Sequence, residues 1–277
     1  MANHSSDSRA TKIDDEITYH KDMEDMAVRA GDFTKAEHHR RMQEIFAAIK
    51  ENQSCNTSKQ ISDGDYKVSP INIDYSNLTE NRSFPDWRSL YTDEAQVEKL
   101  PWFSKELDPD LRQELKNRKI KSGKFLDLGT GPATQAIQLS KLGFDVTATD
   151  ISESAISRGK KLSNEVEFVL DDILDSRLQD NQFDYIFDRG CFHTLKPPDR
   201  ARYALKVRSL LTTGGFLFLK TFSIKEPITF GPYRFSIEMI EETFSTGFEI
   251  LSSKDTVFQG TLDVLPKALF SVLRKKN

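Results

Sequence analysis

The stretch Lys124-Phe125-Leu126-Asp127-Leu128-Gly129-Thr130-Gly131-Pro132-Ala133-Thr134 decides how the chain is read. An apolar run closes on an acid, turns through two glycines one residue apart, and enters a helical pattern. That order predicts strand, tight loop, helix. Gly129 has access to backbone angles closed to other residues, and Gly131 lets a ligand come close to the main chain. The helix that follows presents unpaired N–H groups to whatever lies on the loop. The stretch therefore proposes a site for a nucleotide-like ligand.

Downstream, apolar runs and helical patterns alternate. Strands are expected at 124–128, 145–149, 166–170, 183–187, 216–222, 248–252 and 267–273. Helices are expected at 132–142, 152–163, 198–210 and 236–245. This alternation predicts an α/β fold with a doubly wound, mostly parallel sheet of seven strands and helices on both faces. No helix separates the last two strands, so they are expected to pair antiparallel at the sheet edge.

Upstream the pattern changes. Residues 1–12 are polar and are expected to be a disordered tail. Residues 13–50 carry two amphipathic segments joined at Gly31-Asp32, a predicted helical hairpin whose narrow apolar seam fits a protein partner or a second copy of the chain. Residues 51–85 are read as a linker and 86–277 as the main domain. Within the latter, Trp87, Tyr91, Trp102 and Phe103 precede the glycine loop as either edge packing or a lid, and a short helix is expected from Pro109 to Lys119.

Composition limits the function. The first 65 residues carry nine basic against thirteen acidic side chains, and the remainder is balanced, so neither part has the basic excess of a nucleic-acid binder. No apolar run approaches the length of a membrane span. The first twenty residues lack signal-peptide character, and two cysteines (Cys55, Cys191) form no disulfide framework, so a cytoplasmic setting is expected. His20, His38 and His39 lack companions at ligand spacing, and no metal is expected.

The flanking acids choose between nucleotide-like ligands. A dinucleotide fingerprint would place a third glycine at Thr134. Asp127 would repel a pyrophosphate and attract an ammonium group. Asp150 closes the second strand where a carboxylate takes ribose hydroxyls, and Asp172 follows the third strand where it can accept from an adenine amine. An amino-acid cation, a ribose and an adenine together describe S-adenosylmethionine.

With Ala148-Thr149-Asp150-Ile151-Ser152 and Leu170-Asp171-Asp172-Ile173, the glycine stretch resembles the first three motifs of the Rossmann-like S-adenosylmethionine-dependent methyltransferases, over about Trp87 to Arg274. The resemblance implies Asp127 near the methionyl amine, Gly129, Thr130 and Gly131 against methionine and ribose, and Asp150 on the ribose. It also implies Ile151 and Ile173 against the adenine ring and Asp172 on its amine. The chain departs from the family at Ala133, where many members have glycine, and at Thr130, where many have cysteine. Asp188-Arg189-Gly190-Cys191, Gly231-Pro232-Tyr233-Arg234-Phe235 and the upstream Trp87 and Trp102 are similar to the thiopurine, thiol/halide and tellurite-resistance methyltransferases. That resemblance implies a small, soft acceptor such as a thiol, selenol or halide.

The expected catalytic residues are Asp188, Arg189 and His193, with an ion pair as the structural alternative for the first two and a satisfied polar residue for the third. Trp102 and Asp188 join the cofactor set, and Trp87, Tyr91 and Arg234 form the acceptor set. Other readings of the fold are a small-molecule O- or N-methyltransferase and a module that senses cofactor. Lys196-Pro-Pro-Asp199 lacks the leading acid or amide and the aromatic of exocyclic-amine methyltransferases, which disfavours a nucleic-acid substrate.

Overall fold

The computed structural model describes Thr18, Lys21 and residues 87–88, 90–226 and 231–277. The chain divides into two units, Met1–Asn72 and Ile73–Asn277, and the second holds the sheet and its helices. The expected tail, hairpin and linker lie outside the described residues, apart from Thr18 and Lys21.

A one-turn helix α1 (Glu94–Val97) and helix α2 (Pro109–Asn117) precede β1 (Lys124–Leu128). Then come α3 (Thr134–Lys141), β2 (Asp145–Asp150), α4 (Glu153–Leu162), β3 (Glu167–Leu170) and β4 (Phe183–Arg189). Helix α5 (Pro197–Leu210), β5 (Leu211–Ser223), β6 (Arg234–Phe235), α6 (Ile237–Phe244), β7 (Phe248–Val257) and β8 (Lys267–Lys275) complete the order. The strands lie in the order β3-β2-β1-β4-β5-β8-β7, with β6 paired to the end of β5. Strands β1 to β5 run parallel, and β8 inserts antiparallel between β5 and β7. Strand order reverses beside β1, between β2 and β4, and in such sheets ligands bind at the carboxyl ends of the strands there.

Two features differ from expectation. The sheet has eight strands because Arg234 and Phe235 pair parallel with Phe222 and Ser223. A two-residue strand is too short to carry a period. Strand β5 also starts at Leu211, ahead of the glycine pair taken as its boundary. Gly214 takes φ +75° and Gly215 packs against the Asp184 and Thr212 carbonyls, so the pair forms a bulge inside the strand.

Both faces of the sheet are covered. On one face Phe125, Phe187, Phe218 and Phe270 meet Leu111 and Leu115 of α2, Ala136 and Leu139 of α3, and Ile156 of α4. On the other, Leu126, Leu128, Leu217 and Leu219 meet Tyr203, Val207 and Leu210 of α5 and Ile240 and Phe244 of α6. Alternation along each strand thus sorts neighbours to opposite faces, which assigns Asp127 to the side of Phe125 and Asp188 to the side of Leu126. Phe125 is fully buried, with ring centroids of Phe144 and Tyr185 each 5.2 Å away. Phe125→Ala is expected to destabilise the domain by about 3–5 kcal/mol, read by urea unfolding. A loss under about 1 kcal/mol would contradict this account of the core.

Candidate active site

The loop after β1 is held by its own polar groups. Asp127 Oδ2 accepts from the Thr130 hydroxyl at 2.6 Å and from the Ala136 amide of α3 at 3.1 Å. Burial pushes the Asp127 carboxyl up to about 6. The Thr130 amide donates to the Thr149 carbonyl at 2.8 Å, and the Gly131 amide to Asp150 Oδ2 at 2.9 Å. Asp150 Oδ1 takes the Ser152 amide, and Ser152 in turn caps α4. Gly129 and Gly131 have φ of +70° and +49°. Ala133 holds φ +66° despite its methyl group, a conformation costing about 1–2 kcal/mol for an L-residue.

Further along the same rim, the exposed Asp172 caps the short turn Ile173–Asp175 through the Leu174 amide. Ile173 is buried and Ile151 half-buried. The Asp171 amide donates to the Asp150 carbonyl, tying the ends of β2 and β3 together. Above the loop, Tyr91 is buried with its hydroxyl 2.7 Å from where a Cβ on Gly131 would lie. Burial pushes the Tyr91 phenol pKa up, and the neighbouring Trp102 side chain acts against that rise. Trp102 meets Trp87 edge-on at 5.9 Å.

At the ends of β4 to β6 the expected catalytic and acceptor side chains are engaged by the fold. Asp188 is fully buried and accepts from the Gly190, Cys191 and Phe192 amides at 2.7–2.9 Å and from the Tyr203 hydroxyl. The three amides tie it into the turn after β4 and Tyr203 ties it to α5; burial still pushes its carboxyl up to about 6. Arg189 turns to the opposite face and pairs with the buried Asp108 at 3.0 Å. His193 Nδ1 accepts the Phe222 amide at 3.1 Å, with Phe222 and Phe258 rings at 4.9 and 5.4 Å. Burial, then Arg234 and Arg189, push its pKa down to about 3. A neutral imidazole so weakly basic does not fit the proton-acceptor role. Arg234 is half-buried, donates to the Pro232 carbonyl and lies 6.0 Å from the Phe222 ring.

Comparison with known proteins bears on what this rim holds. The family described as "Methyltransferase domain" matches residues 125–215. An uncharacterised methyltransferase of Schizosaccharomyces pombe is 36% identical over 104 residues, 35% of this chain and 70% of the relative. The chain belongs to the S-adenosylmethionine-dependent methyltransferases. A probable thiol methyltransferase of Arabidopsis thaliana is 26% identical over 56% of this methyltransferase and 71% of the relative. In fold it resembles the Burkholderia thailandensis 1,6-didemethyltoxoflavin-N1-methyltransferase with bound S-adenosylhomocysteine, at TM-score 0.54 and 17% identity over 77% of this chain and 94% of the other.

The residues of this methyltransferase fit S-adenosylmethionine. Glycines 129 and 131 put no side chain on the loop. Asp150 spends two of its oxygens' lone pairs on Gly131 and Ser152 and retains acceptor capacity for ribose. Asp172 is exposed with isoleucines 151 and 173 nearby along the rim. Among the described residues no cluster of His, Cys, Asp or Glu could hold a metal ion, and no helix is long and apolar enough to cross a membrane.

Sequence reasoning missed Lys220, Asp108, Asp110 and Gln259, which form one buried polar group with Arg189. The signal was a lysine inside the apolar run Phe216-Leu-Phe-Leu-Lys-Thr-Phe222, because a charge in a doubly covered strand requires a buried partner.

His193 gives a pH test. Its folded pKa lies below the ordinary 6.5, so the unfolded chain takes the proton first as pH falls, and stability is lost from about 6.5 downward. His193→Gln removes that dependence while the raised carboxyls of Asp127 and Asp188 stay common to both proteins. The stability of wild type relative to His193→Gln is expected to fall by about 1.4 kcal/mol per pH unit between pH 6 and 4. A difference flat with pH would contradict the buried neutral imidazole.

Proposed function

We propose that this methyltransferase methylates a small soft nucleophile (a thiol, selenol or halide) that enters the cleft already ionised. The carrying observation is the state of the titratable groups at the ends of β4 and β5. Asp188 is occupied by four donors, and His193 is held neutral with Nδ1 engaged. Burial raises the Cys191 thiol and the Tyr203 phenol far above neutrality. Asp188 is excluded as a base by geometry, its two oxygens being filled by four donors, while the other three groups are held neutral. A thiol of pKa ~8.5 is a few per cent thiolate there and needs no enzyme base, whereas an aliphatic alcohol would. The Arabidopsis relative's name supports the same acceptor class.

In this reading Gly129, Thr130 and Gly131 carry the methionine and ribose end of the cofactor. Asp150 takes the ribose hydroxyls, and Asp172 with Ile151 and Ile173 takes the adenine. Asp127 acts from beneath the loop by fixing Thr130 and α3, and its charge favours an ammonium group above. Trp102 and Tyr91 close over Gly131, and Trp87 and Arg234 border the acceptor's approach. S-adenosylmethionine supplies a methyl group on a cationic sulfur. The chain's contribution is alignment and exclusion of water, the main requirements for an in-line displacement. Asp188 and Arg189 serve by fixing the turn and the neighbouring segment, not by moving a proton.

Calorimetry with S-adenosylhomocysteine tests the cofactor site: Asp150→Ala is expected to weaken binding at least tenfold, and an unchanged affinity would overturn the assignment. A panel of thiol, selenide, iodide, phenol and amine acceptors tests the class. Turnover of phenol or amine with none of the soft acceptors would replace this reading with an O- or N-methyltransferase. Cofactor binding with no turnover of any acceptor would favour a sensing module.

A further inference from the structure

Lys220 lies in β5 with no exposed surface, and all three of its ammonium donors are used. They reach Asp108 Oδ2 at 2.7 Å, Asp110 Oδ2 at 2.8 Å and Gln259 Oε1 at 2.8 Å. Asp108 Oδ2 also receives Arg189 Nε, while the other guanidinium nitrogens donate to the main-chain carbonyls of Trp102 and Gln259. Lys220 and Arg189 both face the ring of Phe258, at 5.6 and 5.4 Å.

Every one of these bonds ends on the segment 102–110 or on the chain following β7. The segment is tied at two further places. The Asp108 amide donates to Gln135 Oε1 at 2.8 Å, and Gln135 Nε2 donates to the Glu106 carbonyl, which links it to the helix leaving the glycine loop. At the other end the Thr261 amide donates to the Pro101 carbonyl, and its hydroxyl reaches the carbonyls of Lys99 and Leu100. Gly260 lies so close that a Cβ there would stand 1.7 Å from the Pro101 oxygen.

Buried ion pairs are a poor source of net stability, because desolvation consumes most of the Coulombic gain. Their value lies in permitting one arrangement, since any displacement leaves a buried charge unpaired. Here the arrangement they permit carries Trp102 beside Tyr91, whose hydroxyl lies against Gly131.

We infer that Lys220, Asp108 and the Gly260–Thr261 contact are positioning residues for cofactor binding: they hold segment 99–110 as a strap that keeps Trp102 and Tyr91 against the glycine loop. The inference rests on the reading of that loop as the cofactor site. Trp87 and Trp102 are the chain's two tryptophans, so intrinsic fluorescence reports on this region alone.

The experiment uses the full chain and S-adenosylhomocysteine, followed by tryptophan emission and by calorimetry. Gly260→Ala, outside every residue assigned to cofactor or acceptor, is expected to shift the emission of the free protein and to weaken binding about tenfold. KM for S-adenosylmethionine should rise by a similar factor while kcat stays within about threefold. Thr261→Val, which keeps the amide bond and loses the hydroxyl bonds, is expected to weaken binding about threefold, with Thr261→Ser restoring wild-type affinity. Lys220→Met is expected to exceed both if it folds. Wild-type emission and affinity in both Gly260→Ala and Thr261→Val would overturn the strap while leaving the cofactor site intact. Failure of the wild-type chain to bind S-adenosylhomocysteine would overturn the cofactor reading and the strap with it.

Discussion

The bond from the Gly131 amide to the Asp150 carboxylate is the constraint on which the rest depends. It joins the loop after β1 to the end of β2, so two adjacent parallel strands close one corner of the rim. The Thr130 amide on the Thr149 carbonyl repeats the tie one residue away, and the Asp171 amide on the Asp150 carbonyl extends it to β3. A glycine at 131 is needed for the left-handed turn and for the approach of Tyr91. A carboxylate at 150 receives the Gly131 and Ser152 amides together, and in the proposed reading its remaining acceptor capacity serves a ribose.

The sheet's alternation gives the acids different tasks. Asp127, Arg189 and Lys220 point to the face covered by α2 and α3, where they fasten the glycine loop and the segment ahead of β1. Asp188 points to the face of α5, where Tyr203 and three amides enclose it. Adjacent residues at the end of one strand therefore organise opposite sides of the domain. Both have their polar atoms engaged in the fold, and the proposed mechanism accordingly asks the chain for alignment and desolvation.

Much of this was legible in the amino-acid order because it depends on local patterns. The β1–loop–α3 unit announces itself through an apolar run, an acid and paired glycines, and Asp150 and Asp172 follow at strand ends. The antiparallel β7–β8 pair follows from the absence of a helix between the two runs. What stayed hidden depends on distant partners or short elements. Arg189 meets Asp108 across 81 positions and Lys220 meets it across 112, so no local spacing shows that the arginine is spent on structure. The sequence left His193 open between a proton acceptor and a satisfied polar residue, because its aromatic enclosure by Phe222 and Phe258 exists only once β5 and the chain after β7 are folded. Strand β6 is two residues long and has no period to read.

The central claim is that the acceptor arrives ionised and the enzyme removes no proton. The most direct measurement is the pH dependence of kcat/KM for a series of thiols spanning several units of pKa. The account predicts that the rising limb moves with each thiol, its midpoint tracking the acceptor's own pKa. A limb fixed at one pH for every thiol would mean that a group on the protein takes the proton, and would contradict the account.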